Sequence, residues 1–152
     1  MNLLALDLGN TTGFAIFKNG EYVCSGHQKW DKHKEPYGVR YRAFHEWLKT
    51  VILAYDIDTV AYEEVHRFMS SRAAAVYNGY MTVVVMVCSS MEVDTVGYPP
   101  TSVKFVVTGN GHADKKEVRQ NVEKILNIDT AIEDESDAIA VAICVIADST
   151  EI

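Results

Sequence analysis

The segment that decides the fold spans residues 2–10, and it reads Asn2-Leu3-Leu4-Ala5-Leu6-Asp7-Leu8-Gly9-Asn10. Its apolar run predicts a short buried strand that Asp7 closes, and the following Gly-Asn pair favours a turn. Thr12–Lys18 is rich in bulky residues, and Asn19-Gly20 is a strong hairpin signal. A returning strand is then expected over Glu21–His27. The chain is therefore predicted to open with a three-stranded antiparallel meander.

Beyond the meander, helical and strand patterns alternate along the chain. Apolar residues recur at helical spacing in five segments, and short apolar runs in two others predict strands. The predicted helices are Tyr37–Tyr55, Ser70–Met91, Thr101–Val107, Lys115–Leu126 and Asp134–Ala147, and the predicted strands are Asp58–Glu63 and Glu92–Tyr98. This order predicts an α/β fold in which helices flank a mixed sheet.

Length and composition bound the class of protein. The chain has 152 residues, of which 48% are hydrophobic, and this suits a single domain over residues 1–152. Three cysteines are an odd number and favour free thiols in a reducing compartment. The uncharged runs around Val83–Met91 and Ala138–Ala147 are shorter than the roughly 20 residues that cross a bilayer. A soluble cytosolic protein without a membrane segment is expected.

The charge balance bears on possible partners. The formal net charge of −7 argues against nonspecific binding to nucleic acid, because phosphate contacts need lysine and arginine. However, carboxylates that bind metal also add negative charge. The basic residues are grouped at Lys29–Arg42, Arg67–Arg72 and Lys104–Lys116. Nucleic acid therefore stays open as a partner.

Four acidic residues lie where a predicted hydrophobic element ends or begins: Asp7, Glu63, Asp134 and Asp137. A carboxylate at the end of a buried element is held firmly while its oxygens still reach solvent. Several such groups in one place would repel one another unless divalent cations lay among them. The set predicts a metal-dependent phosphodiesterase site. Each acid also has an ordinary explanation, as a turn residue, a strand-end acid or a helix cap.

The last pair of acids carries extra weight. Asp134 and Asp137 are three residues apart, so on a helix they would share one face. The following Ala138–Val145 is apolar nearly all round, which predicts a buried helix whose acidic first turn lies against the protein body.

Two further segments are candidate contacts to a phosphate-rich ligand. The stretch Lys104–Lys115 contains Gly109-Asn110-Gly111, and a glycine-rich turn that opens a helix can present backbone N–H groups and lysines to phosphate. Arg67 and Phe68 combine a cation with an aromatic ring that could stack on a base. Solvated surface loops would look much the same.

The joint order of these motifs resembles the RuvC family of Holliday-junction resolvases. The matching segments are Leu4-Ala5-Leu6-Asp7-Leu8-Gly9, then Val60-Ala61-Tyr62-Glu63-Glu64-Val65, then Lys104–Lys115, then Asp134-Glu135-Ser136-Asp137-Ala138-Ile139-Ala140. The resemblance covers nearly the whole chain. It implies a ribonuclease H-like fold, a homodimer, and cleavage of four-way and other branched DNA, in a bacterial cell or, for a phage-encoded member, its host.

The resemblance also implies roles for individual residues. Asp7, Glu63, Asp134 and Asp137 would bind two Mg²⁺ or Mn²⁺ ions per active site, with Asp7 as the bridging ligand. Lys115 would join the catalytic set, and Lys104 and Lys115 would lie near the scissile phosphate and the DNA backbone. Arg67, Phe68 and Arg72 would contact DNA. Where the family often has a phenylalanine that opens the junction, this chain has His66, with Phe68 two residues later.

Three other functions compete with this one. The stretch Leu6-Asp7-Leu8-Gly9-Asn10-Thr11-Thr12-Gly13 also resembles the first phosphate motif of the actin, sugar-kinase and pantothenate-kinase proteins. Those phosphotransferases need two copies of the core, whereas this chain has room for one. RuvX/YqgF-type nucleases that process RNA generally lack the Tyr62-Glu63-Glu64 pattern. An inert binder of branched DNA would not need all four acids.

Overall fold

Residues 1–150 are described by a computed structural model, and they form five strands and five helices. The strands are β1 (Asn2–Asp7), β2 (Thr11–Lys18), β3 (Glu21–Lys29), β4 (Thr59–Glu63) and β5 (Asp94–Tyr98). The helices are α1 (Tyr37–Ala54), α2 (Ser71–Ser90), α3 (Pro100–Thr108), α4 (Lys115–Leu126) and α5 (Glu133–Thr150).

The strands form one mixed sheet in the order β3-β2-β1-β4-β5. β1 and β3 both run antiparallel to β2, whereas β4 runs parallel to β1 and to β5. The predicted meander and the predicted mixed sheet are thereby confirmed. Because β1 and β4 are parallel neighbours, their carboxyl ends lie on the same edge of the sheet, and this places Asp7 and Glu63 near each other.

Alternate residues of the strands pack against helices on opposite faces of the sheet. Leu3 and Ala5 of β1 belong to the core built with α3, α4 and α5. Leu4 and Leu6 belong to the second core, built with α1 and α2. Asp7 follows Leu3 and Ala5 in this alternation, and its side chain therefore lies on the face of the sheet that α5 covers.

The helix α5 is buried along most of its length, as the apolar run after Asp137 predicted. It packs over the middle of the sheet, and its amino-terminal end approaches β2 very closely. A Cβ atom on Gly13 would overlap the carbonyl group of Asp134. Glycine at this position is therefore what allows the first turn of α5 to reach the sheet.

Some element boundaries differ from the sequence prediction. β5 begins at Asp94 and not at Glu92, because Glu92 has a left-handed backbone with φ of 55°. The predicted helix Ser70–Met91 is confirmed as α2, and Val83–Val85, whose composition favours a strand, is helical within it. Its context explains this, since Tyr80, Val84 and Val87 recur at helical spacing on the buried face.

α2 bears on the expectation that the chain has no membrane segment. By length and composition alone, Ser71–Ser90 is sufficiently long and apolar to cross a bilayer. Tyr80, Val84, Val87 and Cys88 pack into the core with α1 and the sheet. The helix therefore has the contacts of a core helix on one side, while Val85 and Met86 remain exposed on the other.

The cysteines match their prediction. Cys24, Cys88 and Cys144 are free thiols, and the latter two are buried. Burial raises the pKa of Cys88 to about 11, and burial followed by the charge of Asp148 raises the pKa of Cys144 to about 11. Both groups are therefore neutral, apolar packing residues at ordinary pH.

Candidate active site

A cleft opens at the sheet edge where β1 and β4 end. It has a volume of about 230 Å³. Its polar wall contains all four acids and both lysines singled out from the sequence, and its apolar wall comes from the helices α3, α4 and α5. The lining residues are Asp7, Glu63, Lys104, Lys115, Asp134, Asp137, Pro100, Val103, Val118 and Ala140.

Asp7 stands at the end of β1, and the turn that follows it is braced by side chains. Thr12 donates a hydrogen bond to the Gly9 carbonyl at 2.9 Å and accepts one from the Trp30 indole at 3.0 Å. The buried Tyr80 hydroxyl donates to Asn10 at 2.8 Å. These bonds fix the backbone immediately after Asp7, and so they limit where its carboxylate can point.

Glu63 is held in a comparable way at the end of β4. The Tyr77 hydroxyl, from α2, donates to the Glu63 carbonyl at 2.7 Å and accepts from the Val65 N–H at 3.4 Å. Neighbouring residues on a strand face opposite ways, and of the Glu63-Glu64 pair it is Glu63 that lines the cleft. Glu64 instead packs over Gly97, where a Cβ atom would overlap its side chain.

Asp134 lies in the first turn of α5, and Asp137 follows three residues later on the same helix. Their spacing puts both on one face of the helix, as the sequence indicated. The close approach of this turn to Gly13 matters for both residues, because Gly13 is the direct partner of Asp7 across the β1–β2 ladder. Carboxylates from three distant parts of the chain therefore share one cleft.

The electrostatics of the cleft are unfavourable for negative charge. Burial, followed by the charge of Asp137 and the Asp134 side chain, raises the pKa of Asp7 well above its usual value. Burial, with Asp137 second, also raises the pKa of Glu63. Burial raises the pKa of Asp137, although Lys115 opposes this shift. Such a set strongly favours a bound positive charge.

Two lysines supply part of that positive charge. The ammonium group of Lys115, at the start of α4, lies 3.7 Å from an Asp137 oxygen and 3.8 Å from a Glu133 oxygen. Burial lowers the pKa of Lys115, but the surrounding acids, Asp137 first, outweigh that effect and raise it. Lys104, on α3, lines the same cleft and opposes the rise in the pKa of Glu63. Glu133 was not identified from the sequence; its place one residue before Asp134 was the available signal.

The donor set suits a hard divalent cation, since it consists of carboxylate oxygens. Within residues 1–150, no three acidic, histidine or cysteine side chains lie close enough together to chelate one ion in the conformation shown. The four acids share the cleft, and joint ligation would need rotation of their short side chains.

The predicted DNA-contacting residues fall in two places beside this cleft. Phe68 and Arg72 line a groove of about 520 Å³ on the opposite, α1–α2 side of the β1 and β4 ends. Arg67 lines a smaller pocket with His66, Pro100 and Thr101. Sequence reasoning missed Tyr37, which lines the larger groove at the start of α1.

Tyr37 joins several groups on the groove wall. The Arg40 guanidinium lies 4.4 Å from the centre of the Tyr37 ring, and the nearby Arg72 guanidinium lowers the pKa of the Tyr37 hydroxyl. Phe68 packs against Tyr77 with ring centres 5.4 Å apart. The groove therefore combines cationic and aromatic surface, which suits a phosphate chain with exposed bases.

Comparison with known protein sequences identifies one family. A family model described as "Crossover junction endodeoxyribonuclease RuvC" matches residues 3–145. A relative of that name from Ehrlichia canis is 35% identical over 149 residues, with 95% of each chain covered. Another, from Geobacter sulfurreducens, is 33% identical over 150 residues, covering 95% of this chain and 91% of the relative.

Solved structures agree on the fold. Thermus thermophilus RuvC in complex with Holliday junction substrate matches with a TM-score of 0.86 at 22% identity, covering 99% of this chain and 96% of that one. The Fowlpox virus resolvase, solved with substrate Holliday junction DNA, matches with a TM-score of 0.61 at 15% identity over 96% of this chain and 99% of that one. The predicted ribonuclease H-like fold and the family resemblance are confirmed.

Proposed function

Because the chain belongs to the RuvC family of crossover junction endodeoxyribonucleases, we propose that it resolves four-way DNA junctions at the cleft of Asp7, Glu63, Asp134 and Asp137. The protein is a junction-cleaving endonuclease by family. The observation that supports this cleft as the place of the chemistry is the gathering of four carboxylates from β1, β4 and α5 beside two lysines. This arrangement is typical of hydrolysis of a phosphodiester.

The four carboxylates would hold the divalent cations on which the family's activity depends, and we propose Mg²⁺ or Mn²⁺, two per site. Their fit rests on the oxygen-only donor set and on the raised pKa values of Asp7, Glu63 and Asp137, which reflect how strongly the cleft resists uncompensated negative charge. When bound, the cations would supply Lewis-acid activation of water and stabilisation of the leaving oxygen.

The protein's own groups complete the site. Asp7 and Glu63 stand on braced strand ends, and Asp134 and Asp137 stand on a helix whose start packs against β2, so the backbone that carries the four ligands is fixed before substrate binds and only their side chains need to rotate. Lys115 carries a full positive charge at ordinary pH and stands beside Asp137. It is placed to donate to a phosphate oxygen and offset the charge that develops there. Lys104, on α3, lines the same cleft.

The position of the groove lined by Phe68, Arg72 and Tyr37 indicates a path for the DNA. The cleft and the groove lie on opposite faces of the sheet but meet at the carboxyl ends of β1 and β4. A strand cut in the cleft would cross this edge toward Phe68, Arg72 and Tyr37. The phosphates would contact the arginines, and an unpaired base would stack on the aromatic rings. Arg67 would contact the flanking duplex.

We propose a homodimer that makes paired nicks, since a two-fold pair of sites would cut two strands of like polarity symmetrically. The exposed side of α2, with Val85 and Met86 next to Thr82, is the surface we assign to the partner. Tyr80 and Val84, on the other side of the same helix, are buried within their own chain. As a DNA-processing enzyme, the dimer would act in the bacterial cytoplasm, or in the host cytoplasm if phage-encoded.

The other candidate functions gain no support. The family match covers residues 3–145 and leaves no second core with which a nucleotide could be enclosed, as a phosphotransferase would require. RNA processing is not favoured either, because the sequence relatives carry the crossover-junction description. An inert binder would not account for four acids and two lysines in one cleft.

One gel assay tests the proposed function. The purified protein is incubated with labelled four-way junctions, three-way junctions and linear duplex, each with Mg²⁺, Mn²⁺ or EDTA. We expect paired nicks in the four-way junction with either cation, little cleavage of linear duplex, and none in EDTA. The Asp7→Asn protein should bind the junction without cutting it. Cleavage in EDTA, or cutting by Asp7→Asn at the wild-type rate, would refute the assignment.

A further inference from the structure

Glu135 is a buried carboxylate that lies between two acids of the site but does not line the cleft. It follows Asp134 and precedes Asp137 by two residues on α5, and only 6% of its surface is exposed. Burying a carboxylate without partners is costly, so its contacts must satisfy it. None of the proposed catalytic steps uses it.

Both oxygens of Glu135 accept short hydrogen bonds from outside its own helix. The Ser25 hydroxyl, on β3, donates to one oxygen at 2.6 Å. The Ala131 N–H, in the loop before α5, donates to the other at 2.7 Å. The carboxylate therefore joins the first turn of α5 both to the sheet and to the incoming loop.

The chain of bonds extends one residue further. The Tyr22 hydroxyl lies 2.8 Å from the Ser25 oxygen. Since the single hydroxyl hydrogen of Ser25 is used on Glu135, the Tyr22 hydroxyl must donate to Ser25. Glu135 is the terminal acceptor of this chain, a role that an ionised carboxylate fills best.

Two contacts thus hold the start of α5 against the meander. On β2, the missing side chain of Gly13 lets the backbone at Asp134 and Glu135 reach the sheet. On β3, the bond from Ser25 fixes the same turn from the neighbouring strand, because Ser25 is paired with Ala15 of β2. A helix held at these two points has its rotation and its distance from β1 set.

We propose that Glu135 is a positioning residue, which sets Asp134 and Asp137 at the distance and angle from Asp7 that cation binding needs. This inference rests on the proposed function. A solvated acid in the first turn would act only through the helix dipole and would stay exposed, whereas Glu135 is buried and bonded to two other segments. Groups that hydrogen-bond a metal ligand directly commonly change metal affinity by about 10–100-fold when removed, and Glu135, which acts through the backbone of α5, is expected at the lower end of that range.

The test compares Glu135→Ala, Glu135→Gln and Ser25→Ala with the wild-type protein. Mn²⁺ binding is measured without DNA by calorimetry, the Mn²⁺ concentration for half-maximal junction cleavage by gel, and junction binding in EDTA. Leu48→Ala, a truncation in the α1–α2 core on the other face of the sheet, controls for loss of stability alone. All measurements are made at a temperature at which circular dichroism shows the variant folded.

For Glu135→Ala we expect Mn²⁺ affinity to fall about 10-fold and the half-maximal Mn²⁺ concentration to rise equally, with junction binding in EDTA unchanged. Ser25→Ala loses one of the two bonds, and Glu135→Gln loses the negative charge that makes both bonds strong, so each should show a smaller shift in the same direction. Leu48→Ala should keep wild-type Mn²⁺ affinity despite a lower melting temperature.

Several outcomes would overturn the inference. One is a folded Glu135→Ala protein with wild-type Mn²⁺ affinity and wild-type half-maximal concentration. If Glu135→Ala does not fold, unchanged Mn²⁺ affinity in both Ser25→Ala and Glu135→Gln would overturn it equally. Failure of the wild-type protein to bind Mn²⁺ or cut junctions would instead refute the proposed function.

Discussion

Asp7 and Gly13 face each other across the antiparallel ladder of β1 and β2, and the missing side chain of Gly13 makes room for the Asp134 carbonyl. One glycine thus brings the amino-terminal end of α5 to the carboxylate that ends β1. The geometry of the cleft depends on this contact as much as on the acids themselves.

Replacing Gly13 should therefore damage the site. We expect Gly13→Ala to lower the free energy of unfolding by about 1–3 kcal/mol, because its Cβ would displace the start of α5. Cleavage should fall further than the loss of folded protein explains. Urea unfolding and single-turnover cleavage are the measurements. Gly38→Ala, in α1 with open space around its Cβ position, is the control and should cut normally. Wild-type cleavage by Gly13→Ala would contradict the prediction.

Lys115 should contribute more to rate than to binding. Its ammonium group lies 3.7 Å from Asp137 and lines the cleft, where it can offset charge on the phosphate. We expect Lys115→Ala to slow single-turnover cleavage by about 10²-fold while junction affinity changes little. Lys116→Ala is the matched control, since Lys116 is the next residue but does not line the cleft. Equal rates for the Lys115→Ala protein and the wild type would remove Lys115 from the site.

The buried acids predict an unusual dependence of stability on pH. In EDTA, the folded protein raises the pKa of Asp7 above 3.8, chiefly by burial, and the pKa values of Glu63 and Asp137 above 4.5 and 3.8. Between about pH 4 and these raised pKa values, the folded state therefore binds more protons than the unfolded state. The free energy of unfolding falls as pH rises through that range.

Asp7→Asn should remove the largest part of this effect. Its advantage in unfolding free energy over the wild-type protein should be absent near the ordinary aspartate pKa of 3.8 and grow as pH rises toward neutrality. Urea unfolding in EDTA across this range measures it. Asp56→Asn, a change outside the cleft, controls for the loss of one charge. If the difference in unfolding free energy between Asp7→Asn and the wild-type protein stays constant with pH, folding does not raise the pKa of Asp7.

The exposed side of α2 should mediate assembly. Met86 is 63% exposed on a helix whose other side is buried. Met86→Glu would place a charge in the proposed dimer interface, so we expect a monomer by light scattering and single nicks in place of paired ones. Ile125→Glu, at an exposed apolar position on α4 across the sheet, is the control and should remain dimeric. A dimeric Met86→Glu protein would contradict the choice of surface.

The sequence was informative wherever local pattern and tertiary context agreed. The run up to Asp7, the Asn19-Gly20 turn and the apolar stretch after Asp137 predicted β1, the hairpin and α5 correctly. The helix Ser70–Met91 was also predicted correctly: the valines at 83–85 favour a strand when taken alone, but Tyr80, Val84 and Val87 recur at helical spacing on one buried face. The sequence was less informative where contacts between distant segments decide.

The same limit applies to the site. The acids could be recognised because each one ends or begins an element, and the order of motifs supplied the rest. The roles of Gly13, Tyr37 and Glu135 depend on contacts between segments as far apart as Ser25 and Glu135, which are 110 residues distant in the chain. A local pattern does not carry such information.

The central claim is that Asp7, Glu63, Asp134 and Asp137 act together as one cation site. Calorimetric titration of the DNA-free protein with Mn²⁺ tests this most directly. We predict saturable binding by the wild-type protein that is lost or greatly weakened in each of Asp7→Asn, Glu63→Gln, Asp134→Asn and Asp137→Asn. Binding of Mn²⁺ by Asp7→Asn with unchanged affinity and stoichiometry would contradict it.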